Sequence, residues 1–462
     1  MMRTKYWLWL CGVLALLALG PLACDSNPAR PSASPEGLAV AASSTTAPAT
    51  AAAATSTATP LPNTPTPAVT ATATQRPSPT AIPTATPLPA DLAELVNSVK
   101  SALPAKAYSE IRVLPLGSPD SRQPYYAVYS SGQHNFDLKP VPPHFVAIYT
   151  RTGTTWQQLS RLDLNTAEVF PDYVLAVKQV VIDPKLFWLT VDGGAGAHSG
   201  TFELLSFDYS ELKLRIAAFN SFSGLGSLQD VNGDGQTDVI INCTDPYVFC
   251  YACGVRQYAY QVFRWDAEQG VMREVRLQPL SRASGPALEP ANSAVVLAQV
   301  SLWKEALAKV VSAKGAAGQS MTPADSATLA WDYGLIKLHA DAMAEAVARG
   351  PYPVLANVFY GDYAAAVDLM RKYTPEQIFS AKSPLIVGTV AEQWVKALSE
   401  RTLKASNAAL EVEPDLAPAY YLRGWARYLA NEADPQAKAD VARAAQLAPN
   451  DRLYSASAAY LK

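Results

Sequence analysis

Residues 230–242 read Asp-Val-Asn-Gly-Asp-Gly-Gln-Thr-Asp-Val-Ile-Ile-Asn. Asp230, Asn232 and Asp234 carry oxygen at alternate positions of a short loop, a spacing that lets three side chains converge on one hard cation. Gly235 permits the tight turn this needs. The Gln236 carbonyl is expected to point inward, and Asp238 to close the shell. An EF-hand would place a bidentate Glu at the twelfth position. That position is Ile241, inside the apolar run Val239-Ile240-Ile241, so a strand follows rather than a helix. Neighbouring carboxylates repel one another without a counter-ion. The reading is a structural calcium ion that pins the loop to its strand, and the alternative is an Asn/Asp/Gly turn with no ion.

Short β-type runs separated by turn residues flank the loop: PYYAVYS (124–130), HFVAIYT (144–150), YVLAVKQVVI (173–182), LFWLTV (186–191), GTFELLSF (200–207), KLRIAAF (213–219) and QYAYQVFRW (257–265). Such spacing predicts a mainly-β domain over 91–280, built as stacked antiparallel sheets or a propeller-like array. A helix is expected to open it, with Asp91 and Glu94 at its start and Leu92, Leu95, Val96, Val99 and Leu103 on one stripe. The stretch around the loop, 200–242, resembles the calcium loops of FG-GAP or VCBS-type repeats of integrin-like propellers. The resemblance implies a propeller-like fold and calcium held by Asp230, Asn232, Asp234, Gln236 and Asp238.

Cys243, Cys250 and Cys253 follow the strand closely. In an exported protein a disulfide among these three is expected, and spacing leaves the pair open. A zinc site would need a fourth ligand. The turn Asp192-Gly-Gly-Ala-Gly-Ala-His198-Ser199-Gly200 reads as a hairpin. It leads into a strand, where a phosphate loop would lead into a helix, and His198 stands where a nucleophile elbow would place serine.

Residues 1–24 open with Arg3 and Lys5, then an apolar run of about 13 residues, too short for a membrane span. Leu22-Ala23-Cys24 resembles the end of a bacterial lipoprotein signal, which implies lipidation of Cys24 and an anchor on the outer face of the membrane. Residues 25–90 hold thirteen prolines and no Phe, Tyr or Trp, the composition of a disordered Pro/Thr/Ala-rich linker.

Beyond a linker at 281–291, an all-α domain is expected over 292–462. Val296, Val300, Trp303, Leu307 and Val310 form one helical seam, and Thr322-Pro323-Ala324-Asp325 reads as a helix start running to Arg349. Residues 417–450 resemble a tetratricopeptide repeat at Tyr420, Gly424, Ala437, Val441, Ala444 and Pro449. That resemblance implies a protein- or peptide-binding concave face, with Tyr421, Trp425 and Tyr428 as aromatic anchors. Core packing is the competing role for these three.

A net charge of −3 without a clustered basic excess argues against nucleic acid as a partner. The combined expectation is a lipid-anchored extracellular binding scaffold. The alternative is a secreted hydrolase of cell-surface polymers that uses Asp192 and His198. No catalytic constellation is visible in the spacing.

Overall fold

A computed structural model describes residues 88–117, 123–164, 171–280, 285–317 and 321–462, with the backbone of Leu22–Ala23. Cys24, the rest of the expected signal and nearly all of the expected linker lie outside the described residues. After one opening helix, two β-sheets are built and the remaining helices follow.

The first helix, α1 (Ala90–Ser101), turns Leu92, Leu95, Val96 and Val99 inward. They meet Ile111, Val128, Phe145 and Ala147. The larger sheet comprises β1 (Leu22–Ala23), β2 (Tyr108–Leu116), β3 (Tyr125–His134), β4 (Phe145–Thr152), β5 (Thr155–Asp163), β6 (Tyr173–Val180), β7 (Phe187–Gly194), β8 (Gly200–Phe207) and β9 (Leu212–Asn220). Its order is β1-β9-β8-β7-β6-β3-β4-β5, with β2 added on β3. Every pairing is antiparallel except β1 with β9. The sheet curls into a half-barrel, bringing the Leu212 N–H at the start of β9 to the Ser160 hydroxyl of β5 at 2.9 Å. Leu189, Val191, Leu205, Phe207, Val146 and Ile148 fill its hollow.

The smaller sheet is a meander of β10 (Gly226–Gln229), β11 (Asp238–Asn242), β12 (Tyr260–Asp266) and β13 (Val271–Val275). Val239 and Ile241 pack toward the large sheet against Trp188, Phe202, Leu204 and Ile216. Ile240 and Val262 face the other way, onto Leu335 of a long helix. A strand covered on both faces needs an unbroken apolar run rather than alternation, which is why Val239-Ile240-Ile241 reads as it does. Burying one such side chain fully contributes about 1.5–3 kcal/mol.

The helices are α2 (Leu288–Gln299), α3 (Trp303–Ala316), α4 (Pro323–Arg349), α5 (Pro353–Tyr360), α6 (Tyr363–Asp368), α7 (Pro375–Ile378), α8 (Val395–Val412), α9 (Ala417–Ala430), α10 (Pro435–Leu447) and α11 (Arg452–Tyr460). Helix α4 starts as its sequence predicts, with Thr322 Oγ1 accepting the Asp325 N–H at 3.1 Å. The seam from Val296 to Val310 is two helices rather than one. Ser301 takes a left-handed backbone conformation between them (φ 62°), and Gly361 presses on the Leu302 backbone there. Helix α2 begins inside the stretch read as a linker. Between α9 and α10, a side chain at Gly424 would collide with Val441 and the Ala437 carbonyl. The small residues in this segment therefore set the approach of the two helices. Residues 91–462 pack as one compact unit, and Arg401 of α8 reaches Asp245 at 2.5 Å and Gln257 at 3.1 Å.

Candidate functional site

The loop at 230–237 joins β10 to β11, whose register sets Gln229 opposite Asp238. Gly233 and Gly235 both have positive φ, 80° and 85°, which side chains with a Cβ rarely adopt. The turn directs three N–H groups, those of Gly233, Asp234 and Gly235, onto the Asp230 carboxylate at 2.8, 3.1 and 2.7 Å. Asn232 accepts the Asp234 N–H at 3.2 Å and donates to its carboxylate at 3.0 Å. Asp234 accepts the Gln236 N–H at 3.0 Å. Gln236 itself is exposed.

Two residues set the electrostatics. Asp234 pairs with Arg264 of β12 at 2.6 Å, and that guanidinium holds its carboxyl down at about 2. Asp238 is fully buried. One of its oxygens accepts the Val231 N–H at 2.9 Å, and the other, Oδ1, has no hydrogen-bond partner among the described residues. Burial pushes this carboxyl up to about 6. The donor types suit a hard cation, and the unpaired Asp238 oxygen is the atom an ion would relieve. The side chains are not gathered around a point, however. No group of three or more His, Cys, Asp and Glu among the described residues is arranged to hold a metal, and Arg264 already neutralises Asp234.

Beside the loop, a cleft of about 570 Å³ opens between the β12–β13 hairpin and α4. Gln236, Arg264, Trp265, Trp331 and Asp332 line it, with Thr328 at the α4 side. Arg264 lies over the Trp331 ring, 5.2 Å from its centroid. Asp332 is buried. It accepts the Gln278 N–H at 3.0 Å through Oδ1, and its Oδ2 is unpartnered among the described residues. Burial pushes its carboxyl up to about 7. Sequence reasoning missed this cleft. A usable signal was present, since Asp332 falls on the stripe with Leu329 and Ile336, where an apolar residue is the ordinary occupant.

Other polar groups are held inside the fold. Ser130 and His144, both fully buried, share a hydrogen bond of 2.8 Å. Burial takes the His144 imidazole down to about 4. Their burial closes the pair to a substrate. Glu203 is buried with Oε2 unpartnered among the described residues. Its carboxyl is raised to about 8, first by burial and then by Asp192. Asp192 faces Lys178 at 3.7 Å. The His198 ring packs on Tyr251 with centroids 4.3 Å apart, so Asp192 and His198 serve different neighbours.

Cys250 and Cys253 form a disulfide with a Cα separation of 5.0 Å. Cys243 lies in the core of the small sheet. The aromatic stripe of α9 turns mostly inward. Tyr421 and Trp425 are fully buried, and the Tyr421 hydroxyl meets Ser457 of α11 at 3.0 Å. The half-buried Tyr428 donates its hydroxyl to the Phe379 carbonyl at 2.8 Å. The fully buried Tyr421 and Trp425 are therefore core rather than anchors for a partner, while Tyr428 keeps a half-buried ring against Phe379.

Compared with protein-family models and with curated proteins, the chain matches none. No helix among the described residues is long and apolar enough to cross a membrane.

Proposed function

We propose that this protein is a binding scaffold held outside the cell by a lipid on Cys24, with a structural calcium ion in the 230–238 loop. The observation that carries the reading is the fully buried Asp238, whose Oδ1 lacks a hydrogen-bond partner among the described residues beside an Asp/Asn-rich turn. An orphaned buried carboxylate oxygen is costly, and a bound cation removes that cost. The meander of four strands with the loop between its first two supports the FG-GAP/VCBS-like reading, since propeller blades are sheets of four strands. The close α9–α10 pair and the α11 cap support the tetratricopeptide-like one. In this reading the helical domain takes a protein or peptide partner.

In this reading Asp230, Asn232, Asp234, the Gln236 carbonyl and Asp238 hold the calcium ion, which supplies positive charge and fixes the loop. Asp234 must then exchange Arg264 for the ion. Calorimetric titration of the full chain with calcium tests this directly. One saturable site is expected, abolished by Asp238→Asn, and a titration with no heat of binding rejects the ion. Membrane fractionation tests the anchor: Cys24→Ser is expected in the soluble fraction, and its retention with membranes counts against lipidation.

A further inference from the structure

The cleft between the β12–β13 hairpin and α4 holds a second unsatisfied acceptor, independent of the loop. We infer that it binds a short neutral saccharide, with a sugar face against tryptophan and a hydroxyl donating to Asp332 Oδ2.

Three observations converge. The volume of about 570 Å³ lies in the range of small-molecule sites, about 300–1,000 Å³. The buried Asp332 Oδ2 has no partner among the described residues, and a buried acceptor left unpaired is the exception in folded proteins. The cleft's arginines also come already paired: Arg264 with Asp234 at 2.6 Å, Arg273 with Asp266 at 2.6 Å and Arg276 with Glu274 at 2.5 Å. These pairs set donors and acceptors side by side and leave the arginines engaged, which does not suit a phosphate, while Glu268 and Asp332 add further acceptors to the lining. They match a ligand whose hydroxyls both donate and accept. Trp265 and Trp331 supply apolar ring surface among these polar groups, the combination that orients a ligand carrying both kinds of surface.

The inference goes beyond the calcium reading and does not require it, so the experiment is run in excess chelator. Full-length protein is titrated calorimetrically with cellobiose, maltotriose and diacetylchitobiose, and in parallel with trilysine and inorganic phosphate. Saturable binding of at least one saccharide is expected. It should weaken about tenfold or more in Asp332→Asn and in Thr328→Phe, which fills the cleft from a half-buried position on α4. Circular dichroism verifies that both variants fold, and Thr328→Phe carries the test should Asp332→Asn not. Three results overturn the inference: no saccharide of the panel binds, saccharide binding survives Thr328→Phe undiminished, or trilysine or phosphate saturates the site in place of the sugars.

Discussion

Gly334 of α4 lies directly against the backbone carbonyl of Val231, so close that even a methyl group on Gly334 would collide with the oxygen. The contact brings the long helix and the acidic loop together at backbone distance, with the Val231 side chain packed into the same cluster as Leu335. Helix interiors ordinarily favour Ala over Gly by about 1 kcal/mol, so the glycine is present for proximity. Gly334→Ala is expected to destabilise the protein by about 1–3 kcal/mol despite its better helix propensity. Chemical denaturation of the two proteins measures the difference, and a variant as stable as the parent would show that the helix and loop separate at little cost.

Glu203 gives a prediction of opposite sign. Its carboxyl is raised to about 8 by burial, against about 4.3 in an unfolded chain. Between these values the folded state binds more protons, so this group's contribution to stability falls as pH rises from about 4 to about 8. Glu203→Gln removes that dependence. The variant should gain about 1–3 kcal/mol over the parent at pH 8 and gain little near pH 4. Thermal melts at the two pH values read this out.

His339 couples the small sheet to the helices. Its Nδ1–H donates to the Leu335 carbonyl at 2.9 Å, and its Nε2 accepts the Tyr260 N–H at 3.2 Å. The ring stacks on Trp303 with centroids 4.5 Å apart. Burial lowers its pKa, because the imidazolium would lose its hydration. The stabilising contribution is fully present above the ordinary histidine value of about 6.5, and it is lost as pH falls toward the depressed folded value. His134 and His144 are shifted downward too, so the informative quantity is a difference. The stability lost between pH 7 and pH 5 should be smaller in His339→Gln than in the parent.

Much of the architecture was legible because it rests on periodicity. The stripe Leu92-Leu95-Val96-Val99 and the run Val239-Ile240-Ile241 fix which faces are covered, and Thr322 marks where α4 starts. Strand β10, only four residues long, carries no comparable signal. The split between α2 and α3 was hidden because Ser301 does not announce a left-handed backbone. It is the contact of Leu302 with Gly361, distant in sequence, that accompanies the turn. At the site, the alternation of Asp230, Asn232 and Asp234 was visible, but their link to Arg264 was not. That pair depends on β11 and β12 lying side by side. Tyr421 and Trp425 misled for a related reason. An aromatic face looks the same in sequence whether a ligand or a capping helix covers it, and here Tyr454 of α11 stands 4.9 Å from the Tyr421 ring.

The central claim is that the bend after β10 is completed by a divalent ion. Its most direct test is the melting temperature of the full chain in millimolar calcium and again in excess chelator. A rise of several degrees with calcium is expected, from the mass-action stabilisation of the ion-bound folded state, and Asp234→Ala should abolish it. Superimposable melting curves for the parent protein in the two buffers would contradict the claim.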